Sequence, residues 1–425
     1  MKYFNPANLA IIACPGGDVF ADEVIGHLRN KYRHSRSKTE EEISKRYNIT
    51  QEQAALHIDL MNRIVIRGTD SHSGTDRHIQ RPFKVNVKFT RFPNGEIKSE
   101  IEESIRGKDV FIFQDVENRY AVKFHGGQTV SNLSINDHLM TVMVTVDAAR
   151  QAGAERITLV IPLYPYSRQH KAKGREGLTA SRIGKIFENL GVDHIITLDI
   201  HSRDIMNAFD KLRLENLHAS YQIIQTLLNM DGILSDDFVV VSPDTGAVDR
   251  NKFYASALKK PLALLYKERD YSKLSKDASQ SNISQIRLLG SVKDKTVFMA
   301  DDILGTGGTL IKGMKHLKEN GAGKIICAIS LPLFSGDAIS HFDEAYKEGL
   351  FYRIIGTNAI YQEEVVKREW YVNVNITRLF AHVISRLHQN QSVSSLLDNA
   401  AIINRLVSKT IIPENQNELL FPERN

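Results

Sequence analysis

Cysteine, tryptophan and long apolar runs are all scarce in this 425-residue chain, and each scarcity closes off a class of protein. The two cysteines, Cys14 and Cys327, lie far apart in apolar, strand-like runs. They form neither a disulfide framework nor a zinc-binding spacing, and a reducing, cytoplasmic compartment is the expectation. No apolar run approaches the roughly 18 residues a spanning helix needs, so no membrane segment is expected. A charge excess of one sign is also missing. With 55 basic against 50 acidic residues the net charge is +5, too mild for the basic footprint of a nucleic-acid binder and compatible with an enzyme of small anions. Leu9 to Cys14, LAIIAC, superficially matches a lipoprotein cleavage site, but Asn5, Pro6 and Asn8 interrupt the segment before it. It reads instead as a first buried strand. What remains is ordinary: 42% hydrophobic and 25% charged residues, in a length that favours two or three domains.

The most informative stretch is Val297 to Thr309, VFMADDILGTGGT. An apolar run predicts a buried strand, Asp301 and Asp302 close it, and Gly305 to Thr309 form a turn into a helix. Glycines let the backbone approach an anion, helix-start N–H groups point at it, and Thr306 and Thr309 add hydroxyls. Carboxylates at a strand's C-terminal edge suit vicinal sugar hydroxyls or a hydrated Mg²⁺. A Gly-rich turn alone is equally a plain strand-to-helix connection, and without a following Lys it is not a Walker A loop. The adjacent acids shift the reading toward a ribose phosphate.

Along the chain, Pro15 to Gly17 make a turn after the first strand, and Phe20, Val24, Ile25 and Leu28 have helical spacing. Lys31 to Arg81 is a highly charged insertion. Ser37 to Tyr47 and Thr50 to Ile64 read there as two helices, Thr50 and Gln53 as a capping box, and Ser71 to Gln80 as a polar loop. No recognition helix supports a DNA-binding helix-turn-helix. From Val85 onward, strands at 85–90, 110–114, 157–162 and 194–200 alternate with helices at 136–153 and 179–190. A second series follows, with strands at 238–242, 261–266, 296–300, 324–330 and 351–356 and helices at 248–258, 309–320 and 338–348. The pattern predicts an α/β fold with two parallel-sheet domains, residues 1–215 and 216–376, and ligands at the carboxyl ends of strands. The tail from Val374, assigned as a helix over 377–425, is expected to pack on the first domain.

Several motifs sit at strand ends. Arg91 to Glu96, RFPNGE, suits a hairpin turn, while Phe92 could stack a base with Asn94 and Glu96 at its edge. Arg168 and Gln169 lead into His170, Lys171, Lys173 and Arg175, either a solvated basic loop or a polyphosphate holder. His201 ends TLDIHS and Asp244 lies in VVSPDTG; each is a local cap or, at the sheet edge, a ligand of a nucleotide's Mg²⁺. Lys267 and Arg269 precede a polar segment running to Ile286, a solvated loop or a mobile one that closes over phosphates.

Taken together, RFPNGE, NDHLMTVMVTVDAAR, YSRQHKAKGRE, TLDIHS, VVSPDTG, LLYKERD, ADDILGTGGT and LPLFSGDA resemble the ribose-phosphate pyrophosphokinase family from Val85 to about Leu397. The resemblance implies two phosphoribosyltransferase-like domains; the 31–81 helical insertion falls in the first. It implies diphosphoryl transfer from Mg-ATP to ribose 5-phosphate, with Mg²⁺ as cofactor and a homo-oligomer built from dimers, commonly hexamers. Phe92, Asn94 and Glu96 then belong on adenine, of a neighbouring subunit's nucleotide, and Arg168 and Gln169 on ATP. His201 and Asp244 serve the metal–nucleotide complex, and Lys267 and Arg269 are the catalytic cations. Asp301 and Asp302 hold ribose hydroxyls; Thr306, Gly307, Gly308 and Thr309 hold the 5-phosphate. The chain departs from the family at Gly305 and His170, where Asp is common, at Ala247, where Gly is usual, in the insertion, and in the longer segment after Arg269. Two rivals remain: a catalytically silent regulatory subunit, kept open by Gly305 and His170 but opposed by the retained His201, Asp244, Lys267 and Arg269, and a phosphoribosyltransferase, suggested by the small Gly305 but disfavoured by the nucleotide-side residues of the first half.

Overall fold

The computed structural model describes residues 8–65, 83–131, 133–172, 174–230, 235–269 and 283–411, omitting the side chains at 61–65, 267–269, 283–285 and 409–411. The expected polar loop 71–80, Lys173 and residues 270–282 fall outside these ranges. The chain divides into two compact units, one formed mainly by residues 1–217 with 377–397, the other by 218–376 with 398–416.

In the first unit, β1 (Leu9–Ala13) leads into α1 (Asp18–Tyr47), followed by α2 (Gln51–Val65), β2 (Val87–Arg91), β3 (Ile97–Ile101) and β4 (Asp109–Phe113). The short β5 (Val122–Lys123) and β6 (Thr129–Val130) precede α3 (Ile135–Gln151), β7 (Arg156–Val160), α4 (Thr179–Asn189), β8 (His194–Leu198) and β9 (Arg213–Leu217). Strands β1, β4, β7, β8 and β9 make one sheet in the order β1-β4-β7-β8-β9, every pair parallel. Their centres are continuous apolar runs because helices cover a parallel sheet on both faces. Leu9 to Cys14 is fully part of this core, as the buried-strand reading requires.

One expectation about the insertion is corrected. The helix after the first strand does not end near Leu28; α1 continues for 30 residues to Tyr47, so Ser37 to Tyr47 is its distal half. Nothing between Leu28 and Tyr47 breaks a helix, and Tyr32 and Ser35 extend its buried face. Asn48, in the left-handed conformation, ends it. The capping box is present: Gln53 N–H donates to Thr50 Oγ1 at 3.2 Å, and Thr50 N–H to Gln53 Oε1 at 3.0 Å. Arg36 ties the helices by donating to both oxygens of Asp59, at 2.9 and 3.2 Å.

The second unit begins with α5 (Ser220–Leu228), β10 (Phe238–Ser242), α6 (Val248–Leu258), β11 (Leu262–Arg269) and β12 (Ile283–Leu289). It continues through β13 (Thr296–Leu304), α7 (Gly308–Glu319), β14 (Ile325–Pro332), α8 (Ala338–Lys347), β15 (Arg353–Thr357), α9 (Glu363–Val366) and β16 (Tyr371–Val374). The sheet order is β12-β11-β10-β13-β14-β15-β16, with β12 alone antiparallel, against β11. Residues 283–286 therefore belong to a strand rather than to the polar loop expected there. An aromatic cluster of Phe334, Phe342, Phe351 and Trp370 fills the core beneath α7 and α8, and the Trp370 indole donates to Asp343 Oδ1 at 2.7 Å.

The tail divides. Helix α10 (Thr377–His388) packs along α1, and α11 (Ser394–Leu397) lies by β9, both in the first unit. Helix α12 (Ala400–Ile411) packs on α5 and α6 of the second, which corrects the assignment of the whole 377–425 tail to the first domain. Arg156 and His388 both meet the buried Asp109 carboxylate, anchoring the end of α10 to the sheet. Burial acts to raise Asp109's pKa, but these two partners outweigh it and hold the carboxyl below its ordinary value.

Candidate active site

The second unit carries the more complete constellation. Strand β13 does not stop at Ala300; it runs through both acids to Leu304, paired with β14 as far as Leu304 opposite Pro332. Asp301 and Asp302 thus lie on a braced strand rather than in a loop. Asp302 N–H donates to Asp301 Oδ1 at 2.9 Å, and Ile303 N–H to Asp302 Oδ1 at 2.8 Å. Asp302 is buried, and Asp301 is partly exposed. Burial pushes the Asp301 carboxyl well above the ordinary carboxylate range. The neighbouring Asp302 adds to this, Arg250 opposes it, and Asp244 adds a smaller repulsion.

Arg250, on α6, was not singled out from the sequence. Its Nη1 lies 3.5 Å from Asp301 Oδ1 and 3.6 Å from Asp302 Oδ1, close enough for charge compensation but longer than a tight hydrogen bond. Asp244, in the β10–α6 turn, accepts from Ala247 N–H at 3.0 Å through Oδ1. Asp244 thus braces the turn leading into α6, and the turn also brings its charge to Asp301. Only the position of Arg250 in the first turn of the helix after VVSPDTG offered a clue to it.

After β13 the chain enters Gly305 and Thr306 and then α7, whose N-cap is Gly307 at φ +75°. A β-carbon at Gly307 would meet Phe342 Cε2 at 2.3 Å, so both backbone conformation and close packing require glycine. At Gly308, a β-carbon would enter open space among the described residues. Thr306, Gly308 and Thr309 are exposed, and Gly307 brings no capping side chain to the first-turn N–H groups. Those groups have no partners within a helix by construction, so this end of α7 presents donors and positive dipole to an anion. Gly305 O accepts from Ser335 N–H at 3.1 Å, tying the loop to the segment before α8.

Lys267 and Arg269 lie on the end of β11, not on a loop. Their backbones pair with β12, Lys267 opposite Ile286 and Arg269 opposite Ile283, with an irregularity between Glu268 and Arg269.

In the first unit, RFPNGE is the β2–β3 turn. Phe92 N–H donates to Glu96 O at 2.8 Å, and Gly95 N–H to Phe92 O at 2.9 Å. Asn94 Oδ1 accepts from Glu96 N–H at 3.2 Å, so this side chain helps build the turn. Phe92, at 41% exposure, is left presented at the tip, as an aromatic must be to stack on a ligand.

Arg168 and Gln169 are exposed beyond β7, in a turn where Tyr166 adopts φ +56°. Gln169 N–H closes that turn on Tyr166 O at 2.8 Å, and the Tyr166 hydroxyl bonds Asn136. His170 stands edge-on to the exposed His201, ring centroids 5.2 Å apart. Partial burial, then the neighbouring His201 and Lys171, lower the His170 pKa, so this imidazole disfavours protonation. Among the described residues no group of three or more His, Cys, Asp or Glu side chains forms a ready metal cage.

Comparison with known proteins places these residues in context. Residues 66–191 match the profile of the N-terminal domain of ribose phosphate pyrophosphokinase, and residues 211–350 match that of the phosphoribosyl transferase domain. The chain is 34% identical over 318 residues to a ribose-phosphate pyrophosphokinase of Staphylococcus saprophyticus, covering 74% of this chain and 89% of that one. Ribose-phosphate pyrophosphokinase A of Dictyostelium discoideum is 34% identical over 311 residues, covering 73% and 89%. Among solved structures, phosphoribosylpyrophosphate synthetase from Mycobacterium smegmatis superposes with a TM-score of 0.64 at 25% identity, over 90% of this chain and 99% of that one.

Proposed function

Because the chain belongs to the ribose-phosphate pyrophosphokinase family, we propose that it is a ribose-phosphate diphosphokinase with nucleotide-binding residues in its first unit and ribose-phosphate-binding residues in its second. The activity is transfer of the diphosphoryl group of ATP to the anomeric hydroxyl of ribose 5-phosphate, giving phosphoribosyl pyrophosphate and AMP. The observation that carries the residue assignment is the run of β13 into α7. It sets two hydrogen-bond-accepting carboxylates beside an uncapped, glycine-lined helix start, a diol site next to an anion site.

Asp301 and Asp302 accept from the vicinal ribose hydroxyls, with Arg250 limiting the repulsion between them. The N–H groups at the start of α7, with Thr306, Gly307, Gly308 and Thr309, hold the 5-phosphate. Phe92 stacks on adenine, with Asn94 and Glu96 at the ring edge, and Arg168 and Gln169 bind the ATP phosphates. Lys267 and Arg269 neutralise charge spreading over the transferring group as the hydroxyl attacks the β-phosphorus in line. No side chain is assigned as general base, because positioning and charge compensation suffice for this chemistry.

The donor chemistry fits Mg²⁺ brought by the nucleotide: an exposed imidazole and a half-buried carboxylate are ligand types that suit an ion keeping waters and phosphate oxygens. His201 and Asp244 are the residues assigned to it. When bound, Mg²⁺ supplies charge compensation at the phosphate oxygens. A dimer-based homo-oligomer and a cytoplasmic location complete the reading. No helix among the described residues is long and apolar enough to cross a membrane.

The deciding experiment incubates the protein with Mg-ATP and ribose 5-phosphate and measures AMP and phosphoribosyl pyrophosphate together. Equal, sugar-dependent formation of both supports the assignment. A folded protein that binds ATP and forms neither product overturns it in favour of a regulatory subunit.

A further inference from the structure

We propose that Asn251 is a positioning residue for the sugar-binding acids, holding β13 in place where its neighbour β10 departs. This role rests on the reading of Asp301 and Asp302 as acceptors for the ribose hydroxyls.

The registered pairing of β10 with β13 runs from Phe238 opposite Thr296 to Val240 opposite Phe298. Thr296 N–H donates to Asp237 O at 2.7 Å, while Val297 N–H turns the other way, to Lys324 O. Alternation along the strand therefore directs the N–H and C=O of Thr296, Phe298 and Ala300 to the β10 side. Ala300 lies beyond the last registered pair and is only 1% exposed. Its two polar groups need partners, because a buried, unpaired backbone group costs about as much as a lost hydrogen bond, roughly 1–3 kcal/mol.

Asn251 supplies both. Ala300 N–H donates to Asn251 Oδ1 at 2.9 Å, and Asn251 Nδ2 donates to Ala300 O at 2.8 Å. The other Nδ2 hydrogen goes to Ala247 O at 2.9 Å, one turn back on α6. The side chain is fully buried, and both amide hydrogens and the carbonyl oxygen are used. A primary carboxamide presents the same donor–acceptor pair as a strand residue. Asn251 thus stands in for the next rung of β10, freeing β10 to end at Ser242 and turn into the segment carrying Asp244.

The clasp acts directly before the acids. Asp301 follows Ala300, and the next N–H on the same strand edge, that of Asp302, is taken by Asp301 Oδ1. Movement at Ala300 therefore moves one carboxylate by a bond and the other through that hydrogen bond. A displacement of about 1 Å at a positioned group can cost on the order of 10²-fold in rate. Asn251 touches no substrate in this scheme; it acts through the strand.

Two variants separate the clasp from the helix. Asn251→Ser retains a hydroxyl able to bond the carbonyl four residues back, at Ala247, but is too short to bracket Ala300. Asn251→Ala removes all three bonds. Ribose 5-phosphate affinity is measured by calorimetry on the full chain, with KM for both substrates and folding checked by circular dichroism. The expected result is roughly tenfold weaker binding of ribose 5-phosphate in both variants, with KM for ATP within about twofold. Ile354→Ala, a cavity in β15 two strands away from β13, serves as the control for general loosening and is expected to leave sugar affinity unchanged. Equal weakening in that control, unchanged affinity in Asn251→Ser, or failure of both Asn251 variants to fold overturns the positioning role. Asp302→Asn tests the premise separately: unchanged sugar affinity there overturns the diol reading itself, whereas weakened affinity there with normal Asn251 variants overturns only the role of Asn251.

Discussion

Arg250 faces Asp301 across 3.5 Å and reaches Asp302 at 3.6 Å, so one guanidinium serves two adjacent carboxylates without a short bond to either. The arrangement lowers the repulsion between the two carboxylates, and on the proposed reading the same oxygens accept from the sugar hydroxyls. Arg250→Gln should therefore weaken ribose 5-phosphate binding by about tenfold, the scale of a lost compensating charge at a partly buried site. Arg250→Lys should restore only part of it, because a point charge cannot span both acids as a fork does. Calorimetric titration of the three proteins with the sugar phosphate checks this order.

The raised proton affinity of Asp301 has a thermodynamic sign. Between the ordinary carboxylate pKa and the raised folded value, the folded state binds more proton than the unfolded, so this group lowers stability as pH rises through that window. Asp301→Asn removes the charge but keeps an acceptor for Asp302 N–H. It should raise the melting temperature of the ligand-free protein at pH 8 by about 1–3 °C. The gain should shrink as pH falls through that window and be gone only below about pH 3, where the carboxyl is protonated in the unfolded state as well. Melting curves across pH test both statements, and the same variant should bind ribose 5-phosphate more weakly.

Adjacent glycines at the start of α7 should respond oppositely. Gly307→Ala forces a β-carbon into Phe342 and onto a left-handed backbone, and should destabilise the protein by roughly 2–4 kcal/mol. Gly308→Ala meets open space and should change stability by less than about 1 kcal/mol. Its methyl group would intrude on the space assigned to the 5-phosphate, so the sugar KM should rise several-fold. Denaturant titration with substrate kinetics separates the two effects.

Lys267→Ala should reduce kcat by about 10²-fold or more while changing the dissociation constant for ribose 5-phosphate less than about twofold. A cation that acts on charge formed in the transition state leaves ground-state sugar binding alone. Parallel loss of both would remove Lys267 from the catalytic role.

Some of this architecture was readable directly from residue order. Strand β10 and helix α6 occupy the bounds expected from their apolar run and periodicity, because turn-forming residues delimit them on both sides. The acids and glycines of β13 and α7 were legible for a related reason: their chemistry is contiguous in sequence. The continuity of α1 was not, since beyond Leu28 only Tyr32 and Ser35 extend its buried face and the charged remainder masks the period. Strand β12, ISQIRLL, was obscured by the Ser-, Lys- and Asp-rich sequence running directly into it and is identified by its antiparallel pairing with β11. Arg250 and Asn251 meet β13 from about fifty positions away, through a crossover whose register depends on tertiary packing. Helical periodicity can suggest that Asn251 faces inward; it cannot name Ala300 as its partner.

The unbroken course of α1 determines where the charged insertion could be genetically excised. A cut at Lys31 would remove Tyr32 and Ser35, which belong to the buried face of the helix. At the returning end, Ile11 N–H donates to Phe83 O and Val85 N–H to Ile11 O, each at 2.7 Å, so residues 83–85 form a seam along β1. Any excision that spares both features has to keep the chain through Ser35 and resume no later than Phe83.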